Sequence, residues 1–304
     1  MASVVSSKVE ALGKRVVHFG DEMDFIPARI RQLLETDWVN ADVRDCFLAK
    51  SEICRILRKN PADWEMLDIV YYGASPRDGV SLSRADHWLS GSLSGQALRD
   101  RLKVVSSWTA RYITKALEVD GRLTVLDLGA GPAPYALEAL KAIPDCSERL
   151  SWRCVDLDQL SLDEGEKRAR EHGFERVLEF KNMDFLSSRN APEADDPRAD
   201  FGLLVGILCG MSPAEAVSCL QKIKMFFRPG AELIVPTLLN QAFEEDPQTF
   251  RVLCNVLGWQ LKPKSLDEVR EVFVTAGYIV NDIFSEREGG NGQYAIVHAA
   301  IPQP

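Results

Sequence analysis

Thr124-Val-Leu-Asp-Leu-Gly-Ala-Gly-Pro-Ala-Pro-Tyr135 carries three signals in one short run. An apolar strand, Leu123 to Leu126, ends at Asp127, a Gly129-x-Gly131 turn follows, and a helix is predicted from Tyr135 to Ile143. Glycines at such a turn let the backbone approach a ligand that a Cβ would hold off, and an open helix N-terminus behind them favours polar groups. In a dinucleotide fingerprint a third glycine packs the helix against the strand beside a pyrophosphate, but Pro134 occupies that position here. Asp127 would repel a pyrophosphate and suits a ligand bearing an ammonium group. The plainer alternative is a glycine-rich turn that binds nothing.

The rest of the chain bounds what such a turn can serve. At 304 residues, with 46% hydrophobic and 27% charged side chains, the protein can build one large or two moderate globular domains. A formal net charge of −9 argues against a nucleic-acid partner, which needs clustered Lys and Arg. The longest uncharged apolar run, Phe201 to Met211, is too short to span a bilayer, so no membrane association is expected. The first residues lack the apolar core of a signal peptide. The 7 cysteines include no C-x-x-C pair, so neither a zinc site nor a disulfide framework is expected, and no metal. A cytoplasmic location is the expectation that follows.

Two regions differ in pattern. Residues 1–118 show no strand alternation and read as helices, Ala41 to Lys59 and Gln96 to Leu117 most clearly, with a loop at Tyr71 to Gly79. From residue 119 to 304 strands and helices alternate, which implies a mostly parallel sheet covered on both faces. The expected strands are Trp152 to Asp156, Val177 to Phe180, Phe201 to Val205 and Glu232 to Pro236. Helices are expected from a Ser161/Glu164 capping box to Gly173, over Pro213 to Phe227, and from Ser265/Glu268 to Gly277. Tyr278 to Glu286 and Gln293 to Ala300 flank the short Glu288-Gly-Gly-Asn-Gly292 connection, which leaves no room for a crossover helix. These two strands must therefore be antiparallel.

The D-x-G-x-G strand–turn–helix resembles motif I of the class I S-adenosylmethionine (SAM) dependent methyltransferases, and a doubly wound sheet ending in an antiparallel hairpin looks like their fold. The resemblance implies an α/β, Rossmann-like SAM-binding domain over 119–304 behind an N-terminal all-helical cap over 1–118. It also implies SAM as cofactor and a set of roles. Asp156, ending the second strand in Cys-Val-Asp-Leu-Asp158, would receive the ribose hydroxyls, with Asp158 as fallback and Leu157 against the adenine. Asp184 in Asn182-Met-Asp-Phe185 would accept from the adenine amino group with Phe185 packed nearby, unless it is only a helix cap. Gly206 lies at the carboxyl edge of the fourth strand. Asp127 would hold the methionine amine, directly or through water, or order the glycine turn.

The fourth strand is followed by Gly206-Ile-Leu-Cys and not by the Asn/Asp-Pro-Pro-aromatic motif of methyltransferases that act on bases or glutamine, which leaves a small-molecule acceptor. Tyr71 to Gly79, His87-Trp88-Leu and Ala97 to Leu102 resemble the helical cap of a bacterial group. That group includes enzymes methylating fatty-acid-derived signals and azetidine-2-carboxylate synthases. Such a cap would exclude water from the sulfonium, and Tyr71, Tyr72, Trp88 and Tyr135 offer ring faces to a cation. Each is also readable as a core or hinge aromatic. His87 is the best general-base candidate of the 4 histidines, since His18, His172 and His298 sit elsewhere in the pattern. Arg77 and Asp78 could hold a substrate carboxylate or amine, or pair with each other. Three activities stay open: methyl transfer to a small molecule, intramolecular cyclisation of SAM with loss of methylthioadenosine, and non-catalytic SAM binding.

Overall fold

A computed structural model describes residues 25–36, 40–60, 63–143, 148–192, 197–287 and 292–303. His18 and most of the Glu288–Gly292 connection lie outside the described residues.

The first part of the chain is helical throughout: α1 (Ala28–Thr36), α2 (Ala41–Lys50), α3 (Glu52–Lys59), α4 (Trp64–Tyr72), α5 (Arg84–Gly91) and α6 (Leu93–Asp120). The single helix expected from Ala41 to Lys59 is two. Ser51 is extended (φ −127°, ψ 126°), ending α2 and capping α3 by accepting the Cys54 N–H at 3.0 Å. The cause is distant in sequence. Buried Asp86 of α5 accepts the Ser51 hydroxyl at 2.6 Å and the Ile53 N–H at 2.9 Å, so the backbone breaks to reach it. Tyr71 and Tyr72, expected in a loop, complete α4, which stops at Gly73 in the left-handed region (φ 71°).

Strand β1 (Leu123–Leu128) then leads into α7 (Pro134–Leu140), β2 (Leu150–Asp156), α8 (Gln159–His172), β3 (Leu178–Asn182), β4 (Ala199–Leu203), α9 (Pro213–Ile223) and β5 (Phe227–Leu238). Two short helices, α10 (Gln241–Glu245) and α11 (Pro247–Arg251), precede α12 (Leu266–Thr275) and the final strands β6 (Ile279–Ser285) and β7 (Tyr294–Ala300). Among the described residues the strands form one seven-stranded sheet in the order β3-β2-β1-β4-β5-β7-β6. β1 to β5 are parallel, and β7 lies antiparallel between β5 and β6. This is the doubly wound sheet with a terminal antiparallel hairpin that the sequence implies.

The Ser265/Glu268 capping box is present as expected. The Ser161/Glu164 box is not: α8 starts earlier, capped by Asp158, and the Ser161 hydroxyl donates instead to the Asp158 carbonyl at 2.8 Å. An aspartate two residues past the strand outcompetes the later serine because its carboxylate meets the Leu160 N–H directly (3.1 Å).

The chain packs as two compact units, Met1–Leu98 with Ala242–Leu261, and Arg99–Gln241 with Lys262–Pro304. In the helical unit Val43, Phe47, Ile53, Leu57, Met66 and Ile69 form a buried core that Val252, Val256 and Leu257 join from the 242–261 segment. In the sheet unit one face buries Leu126, Leu128, Val235 and Val297 against Leu220 and Ile223 of α9 and Val272 and Phe273 of α12. On the other face Trp108 and Tyr112 of α6 stack on Phe201 of β4, with ring centroids 6.0 and 4.4 Å away. Among the described residues no helix is long and apolar enough to cross a membrane, and no cluster of three metal-ligating side chains is placed to hold an ion.

Candidate functional site

The strand order reverses between β1 and β4, where the connections leave the sheet in opposite directions and open a crevice at the carboxyl ends. Both flanking segments turn on left-handed glycines, Gly129 (φ 74°) and Gly131 (φ 56°) after β1 and Gly206 (φ 81°) after β4. The Gly129 and Ala130 N–H groups donate to the Val155 carbonyl at 2.8 and 3.1 Å, which ties the turn to β2. A Cβ on Gly129 would lie 2.5 Å from Ile207 Cδ1, so the two segments meet here with no space for a side chain. Ala133 is also left-handed (φ 56°), a strained conformation for a residue with a Cβ. It starts α7, whose N-terminus has Pro134 in its first turn and no side-chain cap.

Two carboxylates converge on this turn. Asp156, at the end of β2, accepts the Gly131 N–H on Oδ2 at 2.8 Å and the Asp158 N–H on Oδ1 at 2.9 Å. Its orientation is thereby fixed, while an ionised carboxylate keeps further lone pairs for a ligand. Asp127 is 1% exposed and its Oδ2 has no hydrogen-bond partner. Burial above all, and then the charge of Asp156, pushes its carboxyl up to about 8. A buried carboxylate oxygen without a donor is costly in isolation. The charge of Asp156 repels phosphate and the open Asp127 oxygen is chemically matched to an ammonium donor, so the residues present fit the amino-acid end of SAM.

The end of β3 is drawn to the same edge. Met183 N–H donates to the Asp156 carbonyl at 2.9 Å, and Asn182 Nδ2 donates to the Leu157 carbonyl at 2.8 Å, leaving the Leu157 side chain 65% exposed. Asp184 accepts the Leu186 N–H at 3.0 Å within a turn and caps no helix, and Phe185 is buried in the sheet core.

Sequence reasoning missed Arg101. It is 3% exposed, its Nε donates to Tyr135 Oη at 2.9 Å, and its guanidinium lies 4.6 Å from the centre of the Tyr294 ring. Tyr135 is thus a buried hydrogen-bonded residue at the start of α7. The signal was available: Arg101 occupies the apolar stripe of its helix between Leu98 and Val105, where a surface arginine would not sit.

The remaining candidates lie in the helical unit. Tyr71 is buried and Tyr72 half exposed, with ring centroids 6.1 Å apart. His87 is exposed on α5 beside Trp88, whose ring packs 6.2 Å from Phe25. Arg77 does not pair with Asp78. It donates to Glu52 at 2.9 Å and to both carboxylate oxygens of Glu65, because those residues project from α3 and α4 while Asp78 points out of the loop as an exposed side chain.

Comparison with known proteins adds three findings. A protein family described as "Putative methyltransferase" matches residues 62–278, well over half of the chain. Among solved structures, a "possible exported protein" from Bordetella parapertussis superposes over 98% of this chain and 96% of its own, at 16% identity and a TM-score of 0.64. Magnesium protoporphyrin IX methyltransferase from Synechocystis PCC 6803 with bound SAM covers 82% of this chain and 97% of its own, at 13% identity and a TM-score of 0.50. With bound S-adenosylhomocysteine the same enzyme covers 82% and 100%, at 14% identity and a TM-score of 0.51. At such identities the likeness is one of fold. No curated protein matches the sequence.

Proposed function

The chain belongs to that methyltransferase family and has the class I methyltransferase fold, and from this premise we propose that it binds SAM at the glycine turn and transfers its methyl group to a small molecule. The observation that carries the reading is the unpartnered, buried Oδ2 of Asp127 beside the two left-handed glycines. In this proposal Asp127 takes the α-ammonium group, and the Gly129–Gly131 backbone lies against the methionine chain. Asp156 receives the ribose hydroxyls through lone pairs its two backbone bonds leave open. Leu157 and Phe185 line the adenine side, with Asp184 at the adenine amine and Gly206 at the facing edge. A bound sulfonium supplies an electrophilic methyl carbon. The chain's own contribution is to position and desolvate it, which is where most of the acceleration of such a displacement arises.

His87 is proposed as a proton acceptor, Tyr71 and Tyr72 as further catalytic groups, and Trp88, Asp78 and Tyr135 as substrate contacts. Arg77 is the weakest of these candidates, because Glu52 and Glu65 already match its charge.

Incubating the purified protein with SAM, with and without a panel of small hydroxylated and amine acceptors, tests the reading by the nucleoside formed. S-adenosylhomocysteine that appears only with an acceptor supports methyl transfer. Methylthioadenosine formed from SAM alone would replace it with intramolecular cyclisation.

A further inference from the structure

Residues 242–261, between β5 and α12, pack with the helical unit. After α11 the chain winds into a π-helical turn, Val252–Val256, closed by the Leu257 N–H on the Val252 carbonyl at 3.0 Å. Such turns are rare and gather at functional sites. Here the wide turn splits its residues between two environments. Val252 and Val256, with Leu257, enter the buried core of the helical unit. Cys254 and Asn255 instead line a cavity of about 200 Å3, together with Phe243, Phe250, Trp259, Gln260 and the buried guanidinium side chain of Arg251.

The cavity has aromatic walls. The Phe243 and Phe250 rings stack with centroids 4.3 Å apart and planes within 16° of parallel. The Trp259 backbone N–H donates to the Leu253 carbonyl at 2.9 Å, after the left-handed Gly258 (φ 79°). Burial pushes the Cys254 thiol up to about 11 against the opposing pull of the Leu261 N–H, so it lines the wall as a neutral, weakly polar group. About 150 Å3 is enough to admit benzene, so this cavity has room for a single substituted ring. Aromatic walls favour a planar ring over a saturated one. The amides of Asn255 and Gln260 each offer a donor and an acceptor for one polar substituent.

The geometry points to a second small-molecule site, wholly within the 242–261 segment, for a single-ring aromatic compound carrying a hydroxyl group. It does not depend on the SAM reading.

The test titrates 4-fluorophenol into the full chain without any nucleoside, followed by the fluorine line width. Saturable binding with a Kd of about 0.1–1 mM is expected for a ligand of this size. 4-Fluorocyclohexanol should bind roughly two- to tenfold more weakly, the range that ring stacking confers. Cys254→Trp fills the cavity and should abolish binding. Gln260→Trp does the same from an exposed position that leaves folding intact, as circular dichroism would verify. Absence of saturable binding to the unsubstituted chain, equal affinity for the saturated ring, or undiminished binding in folded Gln260→Trp would each overturn the site. Loss of SAM binding alone would leave it standing.

Discussion

Near pH 7 the unliganded protein carries a proton on Asp127, and binding SAM should expel it. The carboxyl stands at about 8 in the folded chain against a reference value of 3.8, chiefly through burial and secondarily through Asp156. Between those two values the unfolded chain is ionised while the folded one keeps its proton. Stability therefore falls as pH rises through that window and levels off above it. At about 1.36 kcal/mol per unit, the loss accumulated by pH 7 is on the order of 4 kcal/mol. Asp127→Asn removes this penalty but leaves a buried amide with its own unmet hydrogen bonds, worth about 1–3 kcal/mol. The variant should then be more stable than the parent by roughly 1–3 kcal/mol at neutral pH, with a flatter pH profile. An ammonium group beside Oδ2 restores the ionised form. Calorimetric titration of SAM in buffers of differing ionisation enthalpy should therefore report net release of most of one proton per molecule near pH 7. Asp127→Asn should release none and bind SAM roughly 10- to 100-fold more weakly, the loss of one charge-assisted hydrogen bond. Heats near pH 7 that do not depend on the buffer, or an unchanged affinity in the variant, would refute this account of the carboxyl.

Other expectations follow from neighbouring contacts. Asp156→Ala removes the acceptor for the Gly131 and Asp158 N–H groups and should weaken SAM binding by about 10- to 100-fold in calorimetry. Gly129→Ala forces a left-handed alanine against Ile207 and should cost about 1–3 kcal/mol in denaturant unfolding; adding Ile207→Ala relieves the clash but not the backbone strain, so recovery should be partial. Asp86→Ala orphans the Ser51 and Ser83 hydroxyls and the Ile53 and Ser83 N–H groups, a loss of about 3–5 kcal/mol readable in the same unfolding assay. Burial alone would raise the Asp86 carboxyl, but those four donors hold it below 3.8. The stability it confers is therefore complete at neutral pH and lost as pH falls below about 4 and through its folded value.

What could be read in advance was what is encoded locally. The β1–glycine–α7 run and the Ser265/Glu268 cap are decided by neighbouring residues, and the terminal hairpin by a connection too short for a helix. Where distant residues decide, the pattern misled. The break at Ser51 answers to Asp86, and Arg77 finds Glu52 and Glu65 across helices in preference to its neighbour Asp78. No element was predicted over 242–261, where a π turn sets the spacing of the core residues Val252, Val256 and Leu257. At the site, the glycines and acids were legible because the turn needs those residue types, and their state was not. Asp127's isolation depends on what surrounds it in space, which no spacing along the chain reveals.

Titrating the purified protein separately with SAM, S-adenosylhomocysteine and NADH bears most directly on the central claim. The account predicts saturable, micromolar-range uptake of both adenosyl compounds and none of NADH. Uptake of NADH with indifference to the adenosyl compounds would contradict it.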